Sequence, residues 1–324
     1  MEAFLQEGVP VDSSYFNLIV CNLYSNDPDQ NSEANQLLMK FKERKDAWLI
    51  CQSILPGLED SNAKFIALEI FSEGAKINWE LLEDSQKLFF KKFFFDAFFQ
   101  WSQAGAPRTL MNELSRVIIT ILKNDWPNEW PNFMHDFLTQ CKNVPEATLS
   151  GLNLLLWLSE DFHEYSDDLL TFDRMKELSR SLENEYGSIF LYLETVSSTT
   201  DDQDVIIQAL HTLSHYLRWM ELQTIASTQL CYNLVTKLFP FREMRYAVLL
   251  CFQSIATNEL ATFDSNFFQI FQLLVQCIQQ SLVQDSQPIT GAYNDQQMSN
   301  QLIMTLGQFL IFDQSSLFQG LMTD

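Results

Sequence analysis

Along most of this chain apolar residues return every three or four positions, the repeat of a helix that buries one face. Leu114, Val117, Ile118, Ile121 and Leu122 share such a face, as do Val205, Ala209, Leu213, Tyr216 and Leu217, and again Phe267, Phe271, Leu274, Ile278 and Leu282. The pattern predicts helices over residues 12–24, 32–45, 47–58, 62–77, 83–103, 109–123, 127–142, 146–165, 172–197, 202–221, 222–239, 242–258, 265–284 and 296–312. Asp, Ser and Asn stand at many of the starts, where their side chains can accept from unpaired helix N–H groups. The nine glycines and nine prolines cluster between these segments, not inside short alternating runs.

Paired in order, the segments give about seven hairpins that recur every ~40 residues, the period of HEAT and armadillo stacking. The expected fold is all-α, a HEAT-repeat superhelical solenoid; a globular helical bundle competes with it but rarely keeps so many pairs in register. Residues 151–158 are apolar nearly all round, which suits a helix sandwiched between neighbouring repeats. Residues 1–11 read as an N-terminal arm, 12–142 as repeats one to three with the start of the fourth, and 143–324 as repeats four to seven. Leu310, Ile311, Leu317, Phe318 and Leu321 keep the end apolar where a finished array needs a polar cap, so further repeats are expected beyond Asp324.

The most specific local signal is Trp126, Pro127, Asn128, Glu129, Trp130, Pro131. A proline pushes the residue before it out of the helical region, so the helix ending near Lys123 must stop here, and Pro127 is expected to open the next one at its first turn. The two tryptophans then brace a structural corner between the third and fourth hairpins.

Composition narrows the partners. Lys and Arg number 20 against 42 Asp and Glu, a net charge of −22 that disfavours direct contact with nucleic acid or an anionic membrane and favours a basic protein surface. Six cysteines, at 21, 51, 141, 231, 251 and 277, form no C-x-x-C pair and mostly sit in apolar runs, as small buried hydrophobes of a reducing compartment do. No segment supplies the ~18 uninterrupted apolar residues of a membrane span, since Lys91, Lys92, Asp96 and Gln100 interrupt the nearest approach. Glu2 and Glu7 stand where a secretory leader carries positive charge, leaving cytosol and nucleus.

Catalytic constellations are missing: there is no phosphate-cradling glycine loop, no G-x-S-x-G and no H-E-x-x-H. His211 and His215 have the i, i+4 spacing of two metal ligands but lack a third ligand nearby, so no metal and no cofactor is expected. His135 and His163 read as surface or capping residues. Phe89, Phe90, Phe93, Phe94, Phe95, Phe98, Phe99 and Trp101 crowd one helix, chiefly as core, with one or two left to receive aromatic peptides. Base stacking needs cations among the rings, and only Lys91 and Lys92 qualify.

Several stretches, in order, resemble nuclear transport receptors of the karyopherin-β class, above all the exportin-one family. Asn22, Leu23, Tyr24 and Asp46, Ala47, Trp48 match its first repeat; Asn62, Lys64, Leu68 and Ile70, then Trp79, match its second. Where that family carries Lys-aromatic-aromatic-Gly-Leu-Gln-Ile, Ala67 replaces the Gly and Glu69 the Gln. The Trp-Pro corner marks repeats three and four; Leu217, Arg218, Trp219 and Phe241, Arg242 are similar to later ones, and Ala292, Tyr293, Asn294 with Gln301 and Leu306 to the seventh. The resemblance implies a shuttling carrier that binds the GTPase Ran in its GTP form together with cargo bearing a leucine-rich nuclear export signal, and that meets nucleoporins as a full-length receptor. It further implies that the second helix of each of the first three hairpins holds Ran. The positions are Asn35 and Met39, then Lys64, Phe65 and Leu68, then Asn112 and Ser115, although Phe65 and Leu68 also suit the core. An import receptor of the same class and a non-transport helical scaffold are the alternatives.

Overall fold

A computed structural model describes residues 2–163, 170–258, 269–276, 278, 304, 305 and 307. Fifteen α-helices and no strand occur among the described residues. They are α1 (Glu2–Leu5), α2 (Ser13–Leu23), α3 (Pro28–Lys42), α4 (Ala47–Ile54), α5 (Ser61–Asn78), α6 (Asp84–Gln103), α7 (Arg108–Asp125), α8 (Phe133–Asn143), α9 (Thr148–His163), α10 (Phe172–Asn184), α11 (Tyr186–Thr199), α12 (Gln203–Leu217), α13 (Leu222–Ala226), α14 (Leu230–Asn233) and α15 (Arg245–Ala256). The fold is all-α and HEAT-like. Two compact units are present, Met1–Leu154 with Asp168–Thr171, and Leu155–Asp167 with Phe172–Asp324.

In the first unit the helices form hairpins α2/α3, α4/α5 and α6/α7, and α5 packs on both α4 and α7. Start signals work as the sequence suggests: Asp12, Asp27 and Asp60 each accept from N–H groups of the first turn. Asp27 moves the start of α3 to Pro28, four residues before the expected start at Ser32, because proline is tolerated at N1. Gly105, at φ +68°, ends α6 in the left-handed conformation that glycine adopts without a Cβ clash. Gly74 lets α4 lie close against α5, since a Cβ there would fall 2.3 Å from Trp48.

Three expected boundaries are corrected. Pro127 does not open a helix: Trp126 caps α7 in extended backbone and α8 begins only at Phe133. Each proline disfavours helical backbone at the tryptophan before it, so the helix waits until both Trp-Pro pairs have passed. The segment 172–197 is two helices, α10 and α11, parted at Glu185, with the weak helix formers Asn184 and Gly187 on either side. The segment 222–239 is likewise broken into α13, α14 and a π-turn at Leu234–Leu238, with the Thr228 hydroxyl accepting from the Leu230 N–H between them.

In the second unit α12 packs against both α11 and α15, placing Leu210, Leu213, Tyr216 and Leu217 in the core beside Val248, Leu249 and Phe252. Most of the expected helices 296–312 and 265–284, and Ala292, Tyr293, Asn294, lie outside the described residues.

Candidate functional site

The second helices α3, α5 and α7 carry every position assigned to Ran by resemblance, and the structure separates those positions into two groups. On α3 the apolar stripe Ala34, Leu38, Phe41 faces inward, leaving Asn35 exposed and Met39 63% exposed. On α5 Lys64 and Phe65 are half-buried, with the Lys64 ammonium 5.5 Å from the centre of the Trp101 ring. Asn112 on α7 is half-buried. Leu68 and Ser115, by contrast, are corrected to core residues, at 0% and 1% exposure; the Ser115 hydroxyl donates to the Met111 carbonyl at 2.9 Å within its own helix. Both fall on the stripe where α5 packs against α7.

Charged pairs run over the same helices. The Lys42 ammonium at the end of α3 lies 3.3 Å from the Glu69 carboxylate of α5. Glu73 pairs with Lys76 at 2.7 Å, and Glu113 with Arg116 at 3.3 Å. Burial raises the Glu113 pKa, the neighbouring Glu69 charge adds to the rise, and Arg116 opposes it.

Behind this surface the Trp-Pro corner is built on a buried ion pair. The Asp125 carboxylate accepts from the Trp79 indole N–H at 2.7 Å and lies 2.8 Å from the Lys91 ammonium, which also donates to the Glu129 carbonyl at 2.9 Å. One lysine therefore ties α6 to the end of α7 and to the loop between the tryptophans. Trp126 is 2% exposed; Trp130 is half-buried, edge-on to Phe95 and Phe133, while Pro127 is half-buried and Pro131 exposed. The Trp126–Pro127 peptide bond is cis. Lys91 is thus a buried structural cation, a correction to its reading as one of two cations among the rings. Phe90, Phe94, Phe98 and Phe99 are core, and Phe89 is 54% exposed.

Three features escaped the sequence reading. The arm at residues 1–11 folds back: Phe4 stacks on Phe41 at 4.7 Å, and the Arg44 guanidinium donates to the carbonyls of Phe4 and Val9 while bonding to the Asp46 carboxylate. The hydrogen bond from Arg44, joined by the Gly8 N–H, holds the Asp46 carboxyl below its ordinary pKa. In the second unit His163, expected as a surface or capping residue, is 6% exposed. Its Nδ1 meets the Ser179 hydroxyl at 2.9 Å, its Nε2 the Tyr186 hydroxyl at 2.6 Å, and its ring stacks on Trp219 at 4.7 Å. Burial lowers its pKa to about 4, so the imidazole is neutral near pH 7. The third is Cys21, which is exposed, whereas Cys51, Cys141, Cys231 and Cys251 are buried as expected and Cys277 lies outside the described residues. His135 is exposed, and His215 Nδ1 lies 3.8 Å from Glu160 Oε1.

Helical hairpins whose second helices α5 and α7 pack together define the class of protein, an all-α, HEAT-like scaffold. Two family models match the chain: "Importin-beta N-terminal domain" over residues 34–100 and "Exportin 1-like protein" over residues 107–252. Exportin-1 of Drosophila melanogaster is 26% identical over 304 residues, 93% of this chain and 29% of the relative. Exportin-1 of Schizosaccharomyces pombe is 24% identical over 316 residues, 96% and 29%, and EXPORTIN 1B of Arabidopsis thaliana 26% over 276 residues, 83% and 26%. Both matched segments and these relatives make the chain similar to the exportin family of the importin-β (karyopherin-β) superfamily. It spans about three tenths of the length of these relatives.

Proposed function

We propose that this chain is the Ran-binding N-terminal part of a nuclear export receptor, acting by protein recognition and not by catalysis. The observation that carries the reading is the set of second helices α3, α5 and α7, of which α5 packs on α7 while α3 is joined to α5 through the Lys42–Glu69 pair. The three helices carry Asn35, Met39, Lys64, Phe65 and Asn112 over a buried core, across the segment that the importin-β N-terminal model matches and just beyond it. Each of these exposed or half-buried positions sits on a helix whose opposite face is fixed by packing, as a preorganised protein interface requires. The exportin names of the relatives and the exportin 1-like match over residues 107–252 favour export over import, and both weigh against a non-transport scaffold. Export cargo with a leucine-rich signal and nucleoporins belong to the whole receptor, which would shuttle between nucleus and cytoplasm. The excess of carboxylates disfavours direct nucleic-acid binding, and no helix among the described residues is long and apolar enough to cross a membrane.

Hydrogen-exchange mapping tests the surface. Adding Ran loaded with GTP should slow amide exchange in α3, α5 and α7; protection confined to other helices would remove the assignment of this face.

A further inference from the structure

A pocket of about 220 Å³ opens between the α3–α4 corner and the C-terminal half of α5. It is lined by buried Trp48 and Ile70, half-buried Gly74, and exposed Ile77, Lys42 and Lys45, so the buried apolar residues lie deep and the two lysines at the solvent side. The deep part is a product of close helix packing: Gly74 admits the Trp48 indole against α5. Ile77 is 74% exposed, an apolar wall left in water. The volume falls below the ~300–1,000 Å³ of small-molecule sites, so the pocket is sized for a single side chain.

The charge at the rim opposes that of the molecule. Residues 40–45 bring Lys40, Lys42, Arg44 and Lys45 against one carboxylate, Glu43, in a chain of net charge −22. Arg44 is committed inward to the arm, and Lys42 shares Glu69 with both side chains about half exposed. Lys45 is exposed and has no carboxylate within ion-pair distance among the described residues, so a cation stands unpaired at the mouth of an apolar hole. Glu73, the one acidic lining residue, is answered by Lys76 at 2.7 Å.

We propose that this pocket is a docking site for an acidic peptide segment that inserts one aliphatic side chain against Trp48 and Ile77 and sets a flanking carboxylate on Lys45, with Lys42 in reach. The apolar anchor supplies affinity, and the cations select an acidic flank over a basic one. This site is distinct from the five solvent-reaching positions assigned to Ran, and it stands or falls independently of them.

The test uses the whole chain, labelled with ¹⁵N at tryptophan, and three acetylated pentapeptides: Asp-Glu-Leu-Glu-Asp, Asp-Glu-Ser-Glu-Asp and Lys-Lys-Leu-Lys-Lys. The acidic leucine peptide should shift the Trp48 indole resonance saturably, and the other two should not. Lys45→Glu should weaken that binding about tenfold, and Ile77→Glu should abolish it. Both positions are exposed, so the melting temperature should hold in both variants. Equal shifts from the serine or the lysine peptide, binding untouched by Lys45→Glu with the fold intact, no saturable shift at all, or displacement of the peptide by a single-stranded oligonucleotide would each overturn the proposal.

Discussion

A charge set among aromatic rings is costly unless its partner is built in, and at Lys91 three partners are: the Asp125 carboxylate, the Glu129 carbonyl and, through Asp125, the Trp79 indole. Lys91→Met keeps the volume but strips Asp125 of its counter-charge, so it should cost about 3–5 kcal/mol in a denaturant titration; a loss under ~1 kcal/mol would mean that the pair does not organise the corner. Trp126→Ala should cost about 3–5 kcal/mol, the range for emptying a buried aromatic site, and an unchanged melt would return Trp126 to the surface as a binding residue. His163 gives the unit that contains it an acid limit. Its pKa lies near 4 in the folded protein against 6.5 for the free side chain, so protons favour the unfolded chain. Its stabilising effect is complete above pH 6.5 and is lost as pH falls towards 4, by on the order of 3 kcal/mol. His211, also lowered by burial, acts in the same direction. His163→Gln should flatten the slope of stability between those pH values relative to the parent, and an identical slope would show that the imidazole does not titrate there. Little of this was legible beforehand. Nothing in the spacing around His163 distinguishes a helix-end histidine in water from one enclosed by Ser179, Tyr186 and Trp219, because those partners arrive from 16, 23 and 56 positions away.

Helices declared themselves wherever an apolar stripe and a capping residue agreed, as at Asp12, Asp60 and Asp202. They were misjudged where periodicity ran through a break. Met175, Leu178, Leu182, Tyr186, Ile189, Leu193 and Val196 keep a 3–4 spacing across Glu185, so α10 and α11 looked like one helix. The corner failed in the opposite sense: one Pro can start a helix, but a second Trp-Pro four residues on delays it to Phe133. Leu68 and Ser115 show the limit for sites, since helical spacing cannot say which of two faces a neighbouring helix covers until α5 and α7 are stacked. Two variants probe the elements. Gly74→Ala forces a Cβ into Trp48 and should destabilise by about 1–3 kcal/mol or more, measured by chemical denaturation; a neutral result would contradict the close approach of α4 and α5. Arg44→Ala removes the donors to Phe4 and Val9, so limited proteolysis should begin to cleave within residues 2–11 while the rest of the chain resists. Unchanged cleavage would mean that Phe4 stacking alone secures the arm.

At the scale of the molecule, the family likeness was legible because its marks are contiguous: the Trp-Pro corner, Asp46-Ala47-Trp48 and Trp79 each identify themselves in a few residues, and each contributes a buried fixture of the scaffold, Trp126, Trp48 and Trp79. A partner surface leaves no such mark. The surface proposed for Ran is spread over exposed and half-buried positions on α3, α5 and α7, which only the fold brings to one side. The central claim is that this surface recognises Ran in one nucleotide state, and a net charge of −22 makes basic patches on the partner the expected complement. The most direct measurement is a binding titration of the purified chain with Ran loaded with GTP or with GDP, at low and high salt, for the parent and for Lys64→Glu. The account predicts weak, saturable binding of the GTP form, little of the GDP form, slower association as salt rises, and a further loss in Lys64→Glu. Equal affinity for the two nucleotide states would contradict it.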